Sequence, residues 1–274
     1  MDYYIIDAFT DKLFKGNPAG VCMLEQWIDN ETLQNIASEN NLSETAFLVK
    51  QDDYYDLRWF TPAIEVSLCG HATIASAFVL LNFYEKGITE VNFKTMSGMV
   101  KVIKKDDMFY LDFPAWKPKK TTDYKIFTDA FPYKNNGVYK GLDFLIPFDN
   151  ESQIKNINPD FSVLNKITDE LPETSLQKEV ENNDFGVIIT AKGDTCDFVS
   201  RFFAPHAGIP EDPVTGRAHC TLIPYWAQKL GKNKMKARQL SKRTGEIDCE
   251  YLGERVLIGG KAVLYLKGNI RWKY

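Results

Sequence analysis

Short hydrophobic runs, alternating with polar positions and punctuated by Gly, Asn and Asp, cover most of the chain. They predict strands at 3–9, 20–25, 44–50, 56–60, 91–95, 99–104, 108–113, 143–148, 185–191, 197–203, 246–251 and 255–266. Two segments carry a helical period instead. NETLQNIASEN at 30–40 sets Leu33, Ile36 and Ala37 on one face behind Asn30 as a cap, and TTDYKIFTDAF at 121–131 is the second. Two further helices differ in kind. HATIASAFVLLNFY at 71–84 is apolar nearly all round, so it must be buried on every side. RAHCTLIPYWAQKL at 217–230 is similar, but Pro224 removes one backbone hydrogen bond and predicts a kink. Strands in excess with two buried helices predict an α+β chain, each helix wrapped by a curved sheet.

The segments before these two helices resemble each other. DLRWFTP at 56–62 and VSRFFAP at 199–205 each follow a β-run, then lead through acidic residues to a Gly and an apolar helix. Arg58 and Arg201 stand 143 residues apart, and Gly70 and Gly216 stand 146 apart, about half of the 274-residue chain. That period is too long for a solenoid and predicts two similar domains, with 114–123 (PAWKPKKTTD) as the crossing point.

Composition narrows the class. Hydrophobic residues make up 44% and charged ones 26%, as in globular proteins, and 13% aromatics allow a large core. The net charge of −4 is spread out, without a basic stripe for nucleic acid. The start MDYYIIDAFT reads as a strand rather than a signal peptide, and the longest apolar run, 74–81, is far too short for a membrane span. Five cysteines without close pairs read as free thiols in a reducing cytoplasm.

A helix start exposes unpaired N–H groups and a positive dipole end, and a Gly there lets a ligand approach. Gly70 and Gly216 therefore mark two candidate anion sites, expected to face one cleft between the domains. Structural readings compete at each position. Asp212-Pro213 fits an N-cap followed by Pro at the first helical position, His71 fits a packed histidine, and Cys69 and Cys220 fit small buried hydrophobes. Three histidines without HxH or HExxH spacing argue against a metal site.

FKGNPAGV (14–21), NLSETAFLV (41–49), RWFTP (58–62), LCGHAT (68–73) and EDPVTGRAH (211–219), taken together and in this order, resemble the PhzF-like family of the diaminopimelate-epimerase-like fold. The resemblance runs end to end. It implies two pseudo-symmetric domains, 1–115 and 116–261, each a barrel-like, mostly antiparallel sheet around a central helix, with 262–274 returning to the first. It also implies a homodimer, no metal and no organic cofactor. Glu44 becomes the proton-transferring group, with His71 and Asp212 lining the substrate site. Gly70 and Ala72 at the first helix start, and Thr215, Gly216 and Arg217 at the second, become the substrate-binding positions. The chemistry favours Glu44 independently, because a carboxylate at the mouth of an apolar strand can both take and return a proton.

Two departures refine the expectation. Racemases and epimerases of this fold use two cysteines, one before each repeated Gly. Here Cys69 is kept but Thr215 stands at the second place, and a hydroxyl without a partner is too weak an acid for that task. Arg217 replaces a serine of the phenazine-type enzyme. It predicts a more anionic substrate, or a site plugged by Arg217 paired with Glu211 or Asp212. The expected activity is a cofactor-independent isomerisation that moves a proton between carbons of a small carboxylated metabolite. The alternatives are a racemase or epimerase using Cys69 with a non-cysteine second base, and a non-catalytic binder of small anions.

Overall fold

The computed structural model describes residues 1–121, 124–167 and 185–272. Of the segments read above, residues 122–123, 168–184 and 273–274 lie outside the described ones. The fold is mixed α and β, mostly sheet with few helices. Backbone contacts divide it into two units: Met1–Phe113 with Gly245–Ile247 and everything from Leu257 onward, and Pro114–Thr244 with Asp248–Val256.

The first unit begins with β1 (Asp2–Ala8) and β2 (Asn17–Leu24), an antiparallel pair. Gly16 makes the turn into β2 possible. It has φ +65°, and a Cβ there would stand 2.1 Å from the Ala8 carbonyl oxygen. Helix α1 (Asn30–Asn40) follows, and its cap is Asp29 rather than Asn30. Asp29 is extended and accepts from the Thr32 N–H, while Asn30 is already helical and turns its side-chain oxygen to Arg58. Strand β3 (Glu44–Lys50) runs parallel to β2, with Ala19 opposite Glu44, and β4 (Tyr55–Phe60) runs antiparallel to β3. After the short β5 (Glu65–Val66) comes α2 (Gly70–Val79), extended by a π-turn at Leu80–Tyr84. Strands β6 (Glu90–Thr95), β7 (Gly98–Lys105) and β8 (Met108–Pro114) form an antiparallel meander.

Nine of the ten α2 residues are buried, as the all-round apolar sequence requires, and β1, β2, β3 and β7 pack against the helix. Helix α1 lies elsewhere, its Leu33, Ile36 and Ala37 against Tyr3, Cys22, Phe47 and Phe60.

In the second unit, β9 (Lys119–Lys120), β10 (Tyr139–Lys140) and β11 (Phe144–Pro147) are joined antiparallel. Helices α3 (Lys125–Ala130), α4 (Glu151–Asn156) and α5 (Phe161–Leu164) contribute to an aromatic-rich cluster with Phe144, Phe185 and Phe203. Strand β12 (Val187–Lys192) is parallel to β11, and β13 (Phe198–Ala204) is antiparallel to β12. Strand β14 (Ile209–Asp212) folds back on β13, and α6 (His219–Leu230) follows.

Helix α6 is buried from His219 to Ala227. Trp226 stacks on Phe198 at 5.6 Å and donates its indole N–H to Thr190 Oγ1. Pro224 leaves the Cys220 carbonyl without its helical donor, and the Trp116 N–H fills that place at 2.9 Å. Strand β15 (Lys234–Gln239) runs parallel to β13. The run read as one strand at 255–266 is two, β17 (Arg255–Gly260) after β16 (Gly245–Tyr251), and then β18 (Ala262–Asn269). Strand β18 pairs antiparallel with β1 and packs on α2. Among the described residues no helix is long and apolar enough to cross a membrane.

Candidate active site

The first unit gathers Glu44, Cys69 and His71. Glu44 opens β3, and its register with Ala19 brings it beside the start of β2, where Asn17 sits. Cys69 is extended and immediately precedes α2, so Gly70, His71 and Ala72 form the buried first turn. His71 Nε2 lies 3.1 Å from Glu44 Oε2, an ion-pair distance without hydrogen-bond alignment. On the other side of the ring, Nδ1 lies 3.2 Å from the Asn17 amide nitrogen and 3.5 Å from Cys69 Sγ. Asn17 is fully buried, and the Glu44 side chain is only 13% exposed.

These three donor atoms lie within 4.8 Å of one another.

Burial and then the Glu44 charge push the Cys69 pKa up to about 11, with His71 acting in the opposite direction. Cys69 is therefore a thiol at neutral pH. For His71, burial opposes charge, while the thiolate form of Cys69 and then Glu44 act to raise the pKa. The larger of these two pulls needs a thiolate, which exists only near pH 11. At neutral pH the attraction comes from Glu44 alone and is opposed by the Asn17 N–H aimed at Nδ1.

The second unit gathers Asp212, Thr215, Gly216 and Arg217. Asp212 ends β14 and is not a helix cap. It accepts the Thr215 hydroxyl at 2.5 Å and so closes the Asp-Pro-Val-Thr turn. Gln239, buried on β15, donates to Thr215 Oγ1 at 3.1 Å and to the Asp212 carbonyl at 2.8 Å, and accepts the Thr215 N–H at 2.9 Å. The helix starts three residues later than Gly216. Residues 216–218 form a tight lead-in in which the N–H groups of His219, Cys220 and Thr221 each bond three residues back.

Arg217 is held by Asp143, with Nη2 3.3 Å from Oδ1. Asp143 is fully buried and also accepts the Gly186 N–H. Of the two acids expected to pair with Arg217, Glu211 is gripped by Arg201 with two hydrogen bonds of 2.6 and 3.0 Å. His219 is fully buried and donates Nδ1–H to the Thr215 carbonyl.

Two local features recur in both units. Arg58 grips Glu65 with two hydrogen bonds of 2.7 Å, as Arg201 grips Glu211. Thr73 Oγ1 donates to the Cys69 carbonyl four residues back, as His219 does to Thr215.

Sequence reasoning assigned no role to Asn17, Asp143 or Gln239. Asn17 stood inside the quoted FKGNPAGV motif. Asp143 and Gln239 carry no local signal, since only strand register brings them to the second helix start.

The family described as phenazine biosynthesis-like protein matches residues 6–268. A relative named as an uncharacterised isomerase of Pseudomonas aeruginosa is 44% identical over 265 residues, covering 97% of this chain and 96% of its own. A crystal structure of a phenazine biosynthesis protein of the PhzF family from Enterococcus faecalis is 45% identical with a TM-score of 0.90, covering 97% of each chain. The fold alone is shared with a hydroxyproline epimerase from Agrobacterium vitis, at 12% identity and a TM-score of 0.55 over 98% of this chain and 91% of that one.

Proposed function

The chain belongs to the phenazine biosynthesis-like family, and on that premise we propose that it is a cofactor-independent isomerase in which Glu44 moves a proton between carbons of a small carboxylated metabolite. The observation that carries this reading is a carboxylate with one buried oxygen set against a buried imidazole. Oε2 faces His71, so the other oxygen is the one to take and return the substrate proton. The carbon acid is a position next to a carbonyl or imine, and N–H groups at a helix start offset the charge that develops.

His71 is the partner that orients the base. Gly70 and Ala72 offer backbone at the first helix start. In the second unit Asp212, Thr215, Gly216 and Arg217 are the substrate-contacting set. Arg217, braced by buried Asp143, supplies fixed positive charge for a carboxylate. The recurring Arg–Glu grips and carbonyl back-bonds support reading the chain as two copies of one plan, residues 1–115 with the last strand, and 116–261. Homodimerisation and a cytoplasmic setting belong to the same reading.

A thiol-based racemase is less favoured, because Cys69 stays protonated to about pH 11 and the Thr215 hydroxyl is already donated to Asp212. The test is deuterium uptake by NMR from heavy water into a panel of amino acids and cyclic carboxylates. The proposal expects exchange that is lost in Glu44→Gln and kept in Cys69→Ser. The reverse pattern indicates the racemase, and a bound ligand that never exchanges indicates a binding protein.

A further inference from the structure

We propose that Asn17 is a positioning residue that keeps His71 neutral, with its one proton on Nε2 toward Glu44; this rests on the reading of Glu44 as proton carrier.

The geometry around the ring is closed on both sides. Asn17 from β2 sets its amide nitrogen 3.2 Å from Nδ1, Cys69 from the start of α2 sets its thiol 3.5 Å from the same atom, and Glu44 from β3 faces Nε2 at 3.1 Å. Glu44 and Cys69 are the titratable groups in contact with the ring. An amide N–H aimed at Nδ1 needs a lone pair there. A proton on Nδ1 would set two donors head to head, with both residues buried. With Nδ1 as acceptor, the single ring proton belongs to Nε2, which faces the carboxylate.

The consequence falls on Glu44. A neutral ring facing the carboxylate sets no full charge beside it. An imidazolium at the same distance would set a full positive charge against the carboxylate that has to accept the proton. A base that must take a proton from carbon gains from the first arrangement. Asn is suited to the task because Asp at the same place has only acceptors and would draw a second proton onto Nδ1.

The experiment uses the whole protein with its histidine rings labelled with nitrogen-15. The chain has three histidines, and the His71 signals are those missing in His71→Asn. Long-range proton–nitrogen correlation then reads which nitrogen is protonated. In the wild type at neutral pH, Nε2 should be protonated and Nδ1 bare. In the near-isosteric Asn17→Asp, both should be protonated, with the titration midpoint raised by at least one pH unit. Unchanged signals from His206 and His219 show that the variant is folded.

A wild-type ring doubly protonated at neutral pH, or protonated on Nδ1 alone, overturns the proposal whether or not Asn17→Asp folds. An Asn17→Asp ring that matches the wild type overturns it as well. Failure of the Glu44 reading looks different, since Glu44→Gln would then keep exchange while the His71 spectrum stays as described.

Discussion

Replacing His219 by Asn should remove a defined part of the acid sensitivity of this protein. The ring is fully buried, and burial lowers its pKa to about 4, with the hydrogen bond to the Thr215 carbonyl acting the other way. The unfolded chain has the ordinary value of 6.5. Between these two values the unfolded chain binds a proton that the folded one refuses. Stability is therefore complete above pH 6.5 and falls as the pH drops toward 4. From pH 7.5 to pH 5 the loss from this one group is about 2 kcal/mol. His219→Asn keeps an amide that can serve the Thr215 carbonyl but has nothing to titrate. It should be weaker at pH 7.5 by about 1–3 kcal/mol, because ring volume is lost beside Phe198. Urea unfolding followed by tryptophan fluorescence at the two pH values gives the answer, with Trp226 stacked on the same Phe198. Between the two pH values the variant should lose about 2 kcal/mol less than the wild type. An equal loss in both proteins would refute the reasoning. The point bears on function, because activity that fades below pH 6 would otherwise be credited to the carboxylate proposed as the base.

Other outcomes follow from the packing. Arg201→Met should cost about 3–5 kcal/mol, since it strands Glu211 and the carbonyls of Ile154 and Ile157, which Arg201 also serves. Arg58→Met should cost clearly less, because that pair is more exposed; denaturant midpoints rank the two. Pro224→Ala should change stability by less than about 1 kcal/mol instead of the ~3 expected from helix propensity, because Trp116 already serves the Cys220 carbonyl; calorimetry reads the difference. Iodoacetamide at pH 8 should leave Cys69 unmodified in the native protein by peptide mass analysis, since the thiol is buried and its pKa is about 11.

The strands were legible because most of them alternate apolar and polar residues, and the buried helix α2 because it lacks any polar face. Strand β15 was missed although its period is two. Met235, Ala237 and Gln239 point inward while Lys234 and Lys236 point out, so its apolar content is too low to stand out. The second helix was placed two residues early because residues 216–218 bond as a tight turn, and no sequence rule separates that lead-in from a first helical turn. At the site, Glu44 and His71 were legible through their motifs, and the structure sets them together. The partner of Arg217 was not. Nearby acids in the sequence suggested Glu211 or Asp212; Arg201 holds Glu211 in a two-pronged grip, and a partner of Arg217 lies 74 residues away at Asp143. Ion-pair choice follows the fold, and adjacency in sequence is a poor guide to it.

The two helix starts share backbone features and differ in the chemistry they carry. At the first, the residue before the Gly is a thiol, and the residue after it is an imidazole that contacts a carboxylate. Every member of that cluster except Asn17 can exchange a proton, and each lies within 3.5 Å of the ring. At the second, the residue before the Gly is a hydroxyl already donated to Asp212 and already accepting from Gln239. Its proton has no unfilled role to play. The residue after that Gly is a guanidinium, which does not titrate in the working range and is braced by a buried carboxylate. Groups able to exchange a proton are therefore gathered in the first unit, and a fixed charge stands in the second. A reaction with one mobile proton and a carboxylated substrate needs one of each. Symmetric two-base chemistry would need the first kind twice, and Thr215 with its hydrogen bonds filled does not provide it.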